Sequence, residues 1–350
     1  MPKRYMNRQL LPTFSCKERL LQLSINNSGH IVAVMLLLFT VMIAACQPQV
    51  TTLDPALETR IRDERATLPA VTTVEKWTLA NIISNADNSA PSIVPLIDGD
   101  YRIYWTAPSL NGIGSATTPD GALFNVDDGA RIINAPSGQP DCTIGKPWLV
   151  QLADGYRMYF EGRPEPCSVK SPDALTPGTR IFSATSTDGR SFSREAGVRI
   201  DIDPASGLSA AGHGRVIQKD DGSFLMYFTV LRTGQENLPV ILSAISIDGL
   251  LWQINPQPLL ENAHDPTALQ IDDTIYLYVN YMTANVLVLT SGDGIAFSPA
   301  KWLEFYNDKG QRLTNIADVD VLDTPDGQFY LYANGDGTNG VAVFKQTSAS

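Results

Sequence analysis

From residue 90 onward, short apolar segments alternate with acidic turns, and one unit recurs five times. An apolar strand meets a turn and a second strand rich in aromatics follows: SIVPLIDGDYRIYW, WLVQLADGYRMYF, RVIQKDDGSFLMYF, ALQIDDTIYLYV and DVLDTPDGQFYLY. Asp-Gly between apolar strands is a strong hairpin signal. Four of the five turns carry it, Asp272-Asp273 being the exception. Each of the first four hairpins is followed by a second motif, TTPDGALF, STDGRSF, SIDGLLW or SGDGIAF, with an aromatic three residues beyond the glycine.

The turn residues Asp98, Asp154, Asp221, Asp272 and Asp326 lie 56, 67, 51 and 54 residues apart. That is near the period of a four-stranded blade, and no helical period of similar strength appears after residue 73. The pattern predicts an all-β fold, a five-bladed β-propeller over residues 73–350. The fifth unit has its hairpin and a third strand, GVAVF at Gly340–Phe344, but no fourth, which would leave an open edge. The strand-like segment TTVEKWTLANII, Thr72–Ile83, has no hairpin partner and is predicted to close the last blade as its outer strand.

The first fifty residues differ in kind. Basic residues Lys3, Arg4, Arg8, Lys17 and Arg19 precede the apolar run IVAVMLLLFTVMIAAC, Ile31–Cys46. Residues 1–45 read as a signal peptide. The run's end, Ile43-Ala44-Ala45-Cys46, resembles the bacterial lipobox, which implies a lipid on Cys46 and an extracytoplasmic, membrane-anchored domain. An uncleaved anchor helix would place the domain on the same side. Residues 46–72 read as a polar tether with a short helix, capped by Asp54 with Pro55 at its first position.

The formal charge of -11 falls to about -15 once residues 1–45, with five basic residues and Glu18, are set aside. With no basic cluster beyond residue 20, nucleic acid is disfavoured as a partner. Nothing in the pattern calls for more than a monomer. Beyond Cys46, the pair Cys142 and Cys167 is expected to form a disulfide in an oxidising compartment. A two-residue turn at Asp154-Gly155 would pair Ala153 with Tyr156 and bring both cysteines to one end of the second hairpin. Closing that loop is worth roughly 3 kcal/mol on the chain-entropy model.

In a propeller the first strand of each blade lines the axis. Counting eight residues back from each turn aspartate gives Ala90, Lys146, His213, His264 and Asp318. Aligning Asp265-Pro266 with Ala90-Pro91 and Lys146-Pro147 instead puts Asp265 on the axis. Adjacent polar positions are Ser92, Arg215 and Asp320, and Asp318 and Asp320 share a strand face, as do His213 and Arg215. These groups are expected either to satisfy one another or to bind a polar ligand, with Lys146 and Arg215 favouring an acidic sugar. Trp148 could add a stacking surface. GDGTNG, Gly335–Gly340, has dinucleotide-type glycine spacing, but a strand follows it, so it reads as a hairpin loop.

The repeats, with inner strands opening on APSIV, KPWLV and DPTAL and hairpins such as DGYRMYF, resemble the five-bladed propeller glycoside hydrolases of the arabinanase, xylosidase, invertase and levansucrase type. The resemblance spans residues 74–350 and implies a carbohydrate ligand. The sialidase Asp-box is similar but has an extra residue between Asp and Gly. The catalytic acids of the five-bladed glycoside hydrolases would fall at Ala90, Lys146 and His213–Arg215, none of which is a carboxylate, so the resemblance implies that the usual pair that flanks a glycosidic bond is missing. Two readings follow: a glycan-binding propeller without catalysis, or an atypical hydrolase or lyase using Asp265, Asp318 or Asp320 with His213 or His264 as proton carrier. No metal ligand is assigned and no cofactor is required. An axial metal ion is a third alternative, since histidines and carboxylates converge.

Overall fold

Strands that are apolar on both faces must be covered on both faces, and here five blades achieve this by stacking around one axis. The computed structural model describes residues 54–84, 89–97, 99–164, 167, 175–202, 205, 207–335 and 340–347. Blade 1 holds Ser89–Pro95, Tyr101–Ala107, Gly112–Thr118 and Asn125–Val126, and blade 2 holds Thr143–Leu152, Gly155–Arg163, Arg180–Ser186 and Ser193–Arg194. Blade 3 holds Leu208–Gln218, Phe224–Arg232, Gln235–Ser246 and Gln253–Glu261, and blade 4 holds Ala263–Ile271, Thr274–Tyr281, Asn285–Ser291 and Ser298–Tyr306. Blade 5 is built from Ala317–Asp323, Phe329–Asn334, Gly340–Gln346 and, from the other end of the chain, Val74–Ser84.

Second strands such as Tyr101–Ala107 and Gly155–Arg163 are buried at every residue, which explains their continuous apolar runs. The core is divided into five apolar clusters, one between each pair of neighbouring blades.

One hydrogen bond repeats between the blades. In the second motif, Ser186 Oγ accepts from Gly189 N (2.9 Å), while Asp188 Oδ1 accepts from Arg190 N and Ser191 N (2.8 and 3.0 Å). The loops at Thr118, Ser246 and Ser291 are closed in the same way. The glycine carbonyl is thereby turned toward the preceding blade. Tyr104 OH donates to Gly189 O (2.7 Å), Tyr159 to Gly249 O (2.9 Å), Tyr227 to Gly294 O (2.9 Å) and Tyr332 to Gly121 O (2.7 Å). The aromatic three residues beyond each glycine, Phe192, Trp252, Phe297 or Phe124, meets the same tyrosine edge-on at 5.5–6.0 Å. Only glycine fits these loops: Gly294 has φ 77°, and a Cβ there would lie 3.0 Å from Tyr227 OH.

Ring closure follows the expected strand. Val74–Ser84 runs antiparallel to Gly340–Gln346, with Leu79 opposite Phe344 and Ile83 opposite Val341. It also pairs in parallel with blade 4, from Val74 opposite Trp302 to Thr78 opposite Tyr306, so blades 4 and 5 form one continuous sheet. The helix expected near Asp54 spans Pro55–Arg65, and Asp54 Oδ1 accepts from Ala56 N at 3.0 Å. It is docked rather than solvated. The Glu64 carboxylate accepts from Thr283 N, Ala284 N and Asn285 Nδ2 (3.2, 3.1 and 2.8 Å), and Arg65 reaches Asn285 Oδ1 and Glu304 Oε1 (2.8 and 3.0 Å).

Turn details differ from expectation. Leu152 faces Gly155, so the second hairpin turns at Ala153-Asp154, one residue early. The hairpins at Lys219–Ser223 and Thr324–Gln328 close longer loops through left-handed Gly222 and Gly327, with Lys219 N donating to Ser223 O and Thr324 N to Gln328 O (2.8 and 3.0 Å). The Cys142–Cys167 disulfide is formed, beside the pair Thr143 and Arg163 where the second hairpin ends. Residues 1–53, including the apolar run and Cys46, lie outside the described residues.

The tyrosine bonds give a paired prediction. Replacing Tyr227 by Phe should lower the unfolding free energy by about 1 kcal/mol, because Gly294 O loses its donor. Tyr278 is the equivalent residue of blade 4 and, among the described residues, has no such loop to reach in blade 5. Tyr278→Phe should cost less than half as much, read by denaturant unfolding of both variants.

Candidate functional site

Every inner strand is broken by a bulge at the same place. The pairing register shifts between Ser89 and Ser92, Gly145 and Trp148, Gly212 and Arg215, His264 and Thr267, and Ala317 and Asp320. Inside each bulge one residue is left-handed: Ala90 (φ 53°), Lys146 (50°), His213 (52°), Asp265 (50°) and Asp318 (53°). Asp265 therefore occupies the position for which His264 was the other candidate. The turn of blade 4 is Asp272-Asp273, between Ile271 and Thr274, and its second residue, Asp273, corresponds to Asp154. Counting from Asp272 shifts the count by one.

The bulge breaks the ladder, and the freed backbone groups are taken by the preceding blade. Lys146 N donates to Thr106 Oγ1 (2.9 Å), Asp265 N to Thr229 Oγ1 (3.2 Å) and Ala90 N to Asn334 Oδ1 (3.2 Å). Asn280 Nδ2 donates to Ile316 O (2.7 Å). In blade 2 the residue paired at this position is Glu161, opposite Gly145.

The bulge residues meet at the axis as charges. Lys146 Nζ donates to Asp318 Oδ1 and lies 3.7 Å from Asp265 Oδ1. His213 Nδ1 lies against Asp265 Oδ1, its Nε2 is 3.4 Å from Glu161 Oε2, and His264 Nδ1 is 2.8 Å from Asp265 Oδ2. Imidazole and carboxylate thus alternate from His264 through Asp265 and His213 to Glu161. Burial opposes ionisation of Asp265, yet His213, Lys146 and His264 hold its pKa well below the usual carboxylate range. Burial also opposes the Lys146 charge, but Asp265, Asp318 and Glu161 outweigh it and raise the pKa. For His264, burial is outweighed by Asp265, and its pKa is raised.

Two residues further along lie Ser92, Trp148, Arg215, Thr267 and Asp320, and here side chains bond across to the next inner strand. Trp148 Nε1 donates to Val216 O (2.7 Å), Arg215 Nε to Thr267 Oγ1 (3.3 Å), Thr267 Oγ1 to Val319 O (2.5 Å) and Ile93 N to Asp320 Oδ2 (2.7 Å). The Arg215 guanidinium lies 5.0 Å from the Trp148 ring centroid. Trp148 is therefore not an exposed stacking platform. Arg215 is fully buried, and burial outweighs Asp320, Asp318 and Asp265 and lowers its pKa; neither it nor the equally buried Lys146 is accessible to an acidic sugar. Burial, offset in part by Ile93 N and Arg215, pushes Asp320 to about 7.

Side chains fill the axis where an open central pocket was expected. Lys146, His213, Asp265 and Asp318 expose only 2–3% of their side chains, against 9% for Glu161 and 31% for His264. The last two are what an approaching molecule meets. The axis does not fit a metal ion. The Lys146 ammonium stands between Asp265 and Asp318, and among the described residues no three His, Cys, Asp or Glu are arranged to hold one. Glu161 is the residue that the inner-strand count missed. The signal available was its place in YFEGR, where the other blades carry Thr106, Thr229, Asn280 and Asn334.

Together the five blades, the closing strand and the axial ring define a glycoside hydrolase-like β-propeller fold. Among solved structures it is similar to a thermostable family-43 glycoside hydrolase, with 12% identity over 75% of this chain and 90% of that one and a TM-score of 0.58. It is also similar to a family 117 glycoside hydrolase from the marine bacterium Zobellia galactanivorans (15%, 78% and 90%, TM-score 0.57). An endo-arabinase from Bacteroides thetaiotaomicron is a third (11%, 78% and 98%, TM-score 0.55). No protein-family model and no curated protein matches the chain.

Asp320 supplies a pH prediction. Its folded pKa lies above its ordinary 3.8, so its contribution to stability is fully present below about pH 4 and is lost as pH rises to 7. Asn does not titrate. The stability of Asp320→Asn relative to the unsubstituted protein should therefore rise from pH 4 to 7 and level off above, read by denaturant unfolding across that range. A pH-independent difference would contradict the assignment.

Proposed function

We propose that the chain is a lipid-anchored, extracytoplasmic propeller that binds carbohydrate at the mouth of its axis without cleaving it. The observation that carries this reading is the mutual pairing of the axial charges in a fold shared with glycoside hydrolases. Hydrolysis of a glycosidic bond ordinarily takes two carboxyl groups, one of them a proton donor, on either side of the bond. Asp265 and Asp318 are bound to Lys146, and Asp265 is held ionised by two imidazoles and an ammonium, so it is no proton donor.

A second reading, an atypical hydrolase or lyase, is favoured by one contact. His264 is partly exposed, its pKa is raised, and it rests 2.8 Å from Asp265, an arrangement suited to proton transfer. In that reading His264 is the proton carrier, and the buried Asp318, Asp320 and His213 only shape its field.

Binding and turnover of a glycan library separate the two readings. Binding without product release is expected from the unsubstituted protein. Turnover that falls at least 100-fold in both His264→Gln and Asp265→Asn would establish the enzyme instead. The anchor is tested by Cys46→Ala, which should move the protein from the membrane fraction to the soluble one. Retention in the membrane would favour an uncleaved helix.

A further inference from the structure

Four blades spend the side chain opposite the bulge on the backbone of the next blade, through Thr106, Thr229, Asn280 and Asn334. Blade 2 departs from that rule by carrying Glu161. Its Oε2 is buried yet has no hydrogen-bond partner among the described residues, and the group facing it is His213 Nε2 at 3.4 Å. A buried carboxylate oxygen without a donor is costly and calls for one. The neighbouring chain leaves room for this carboxylate. A Cβ on Gly212 would lie 2.7 Å from Glu161 Oε2 and 2.5 Å from Leu175 Cδ1.

The charges around Glu161 limit what the missing donor can be. Of the three buried cations nearby, Lys146 is held by Asp318 and Asp265, while Arg215 and Arg163 feel the charge of Glu161 without forming an ion pair with it among the described residues. After His264, Glu161 is the most exposed group of the axial set. We propose that Glu161 is the specificity-determining residue of the mouth, taking a hydroxyl or ammonium hydrogen from a neutral or amino sugar and disfavouring uronic acids. This rests on the carbohydrate-binding reading and sharpens it to a charge class. A carboxylate accepts from O–H or N⁺–H about twice as strongly as a neutral acceptor, whereas a uronate brings a second anion to an acceptor-only group.

The experiment measures affinities of neutral, amino and uronic-acid oligosaccharides for the protein purified in detergent, beside Glu161→Gln and Gly212→Ala. Gln keeps the shape and removes the charge. Ala at 212 forces the flexible ends of Glu161 and Leu175 aside without a backbone demand, so it tests the same group if the first variant folds poorly. Unfolding midpoints report on folding in both. Neutral sugars should lose about tenfold in affinity in either variant. Amino sugars should lose more, with an added salt dependence that identifies the ammonium as donor, and uronic acids should bind the Gln variant more tightly than the unsubstituted protein. Uronic acids as the tightest class, or affinities within twofold across all three proteins, would overturn the Glu161 assignment alone. An unsubstituted protein that binds no sugar of any class would overturn the carbohydrate reading, and the assignment with it.

Discussion

The left-handed residue in each inner-strand bulge is the constraint from which both ring and site follow. Outside glycine this conformation costs on the order of 1 kcal/mol or more, and it recurs five times with Ala, Lys, His, Asp and Asp. No side-chain property is common to these residues, so the conformation is imposed by the blade. The bulge adds a kink that frees a backbone N–H, and the preceding blade captures it where Thr106, Thr229 and Asn334 stand. Strain within one strand thus becomes a bond between two blades. Side chains carried by the bulge are delivered to the axis whether or not their charges suit one another.

At the opposite end of the blades the tyrosine-to-glycine bonds hold the ring together, and their single omission explains the closure. Each bond needs a loop between the third and fourth strands of the next blade. In blade 5 the fourth strand is Val74–Ser84, far away in sequence, and among the described residues no such loop joins it to Gly340–Gln346 and offers Tyr278 a glycine carbonyl. The same strand compensates by hydrogen-bonding along Trp302–Tyr306 of blade 4 as well as along Gly340–Gln346. Glu64 and Arg65 then fix the helix that precedes it to blade 4. The weakest junction of the ring is thereby crossed by main-chain bonds rather than by one side chain.

Much of this was legible in the chain because it depends on short-range chemistry repeated at a fixed period. Five hairpins, the Ser-x-Asp-Gly loops and the unpartnered strand at Thr72–Ile83 all announce themselves in composition and spacing. What stayed hidden depends on exact register or on three-dimensional neighbours. A two-residue turn and a left-handed glycine loop look alike as Asp-Gly, so Ala153 was assigned a partner one step off, and His264 competed with Asp265 for one position. The docking of Glu64 onto residues 283–285 joins segments some 220 residues apart and has no local signature. Glu161 was overlooked for a different reason. The inner strands carry the axial periodicity, whereas Glu161 differs from its equivalents Thr106, Thr229, Asn280 and Asn334 only along the second strands.

The axial network bears on function through its charge balance. Taking an ammonium, a guanidinium and several carboxylates out of water costs several kcal/mol per ion, and their mutual attraction repays this only where every charge is closely paired. Lys146, Asp318, Asp265 and His213 meet that condition, and so behave as a structural plug. A hydrolytic site needs the opposite arrangement, with carboxyl groups held apart and left available to the substrate. Lys146 and His213, carried by the bulges of blades 2 and 3, stand against Asp265 and Asp318 from blades 4 and 5 and occupy those carboxylates. Glu161, on the second strand, adds to the field on Lys146 and Arg215 and faces His213, yet its Oε2 has no hydrogen-bond partner among the described residues. Ser92, Arg215 and Asn280 also hold buried atoms without a partner among the described residues, but Glu161 is the most exposed of these side chains, and recognition has room to act there.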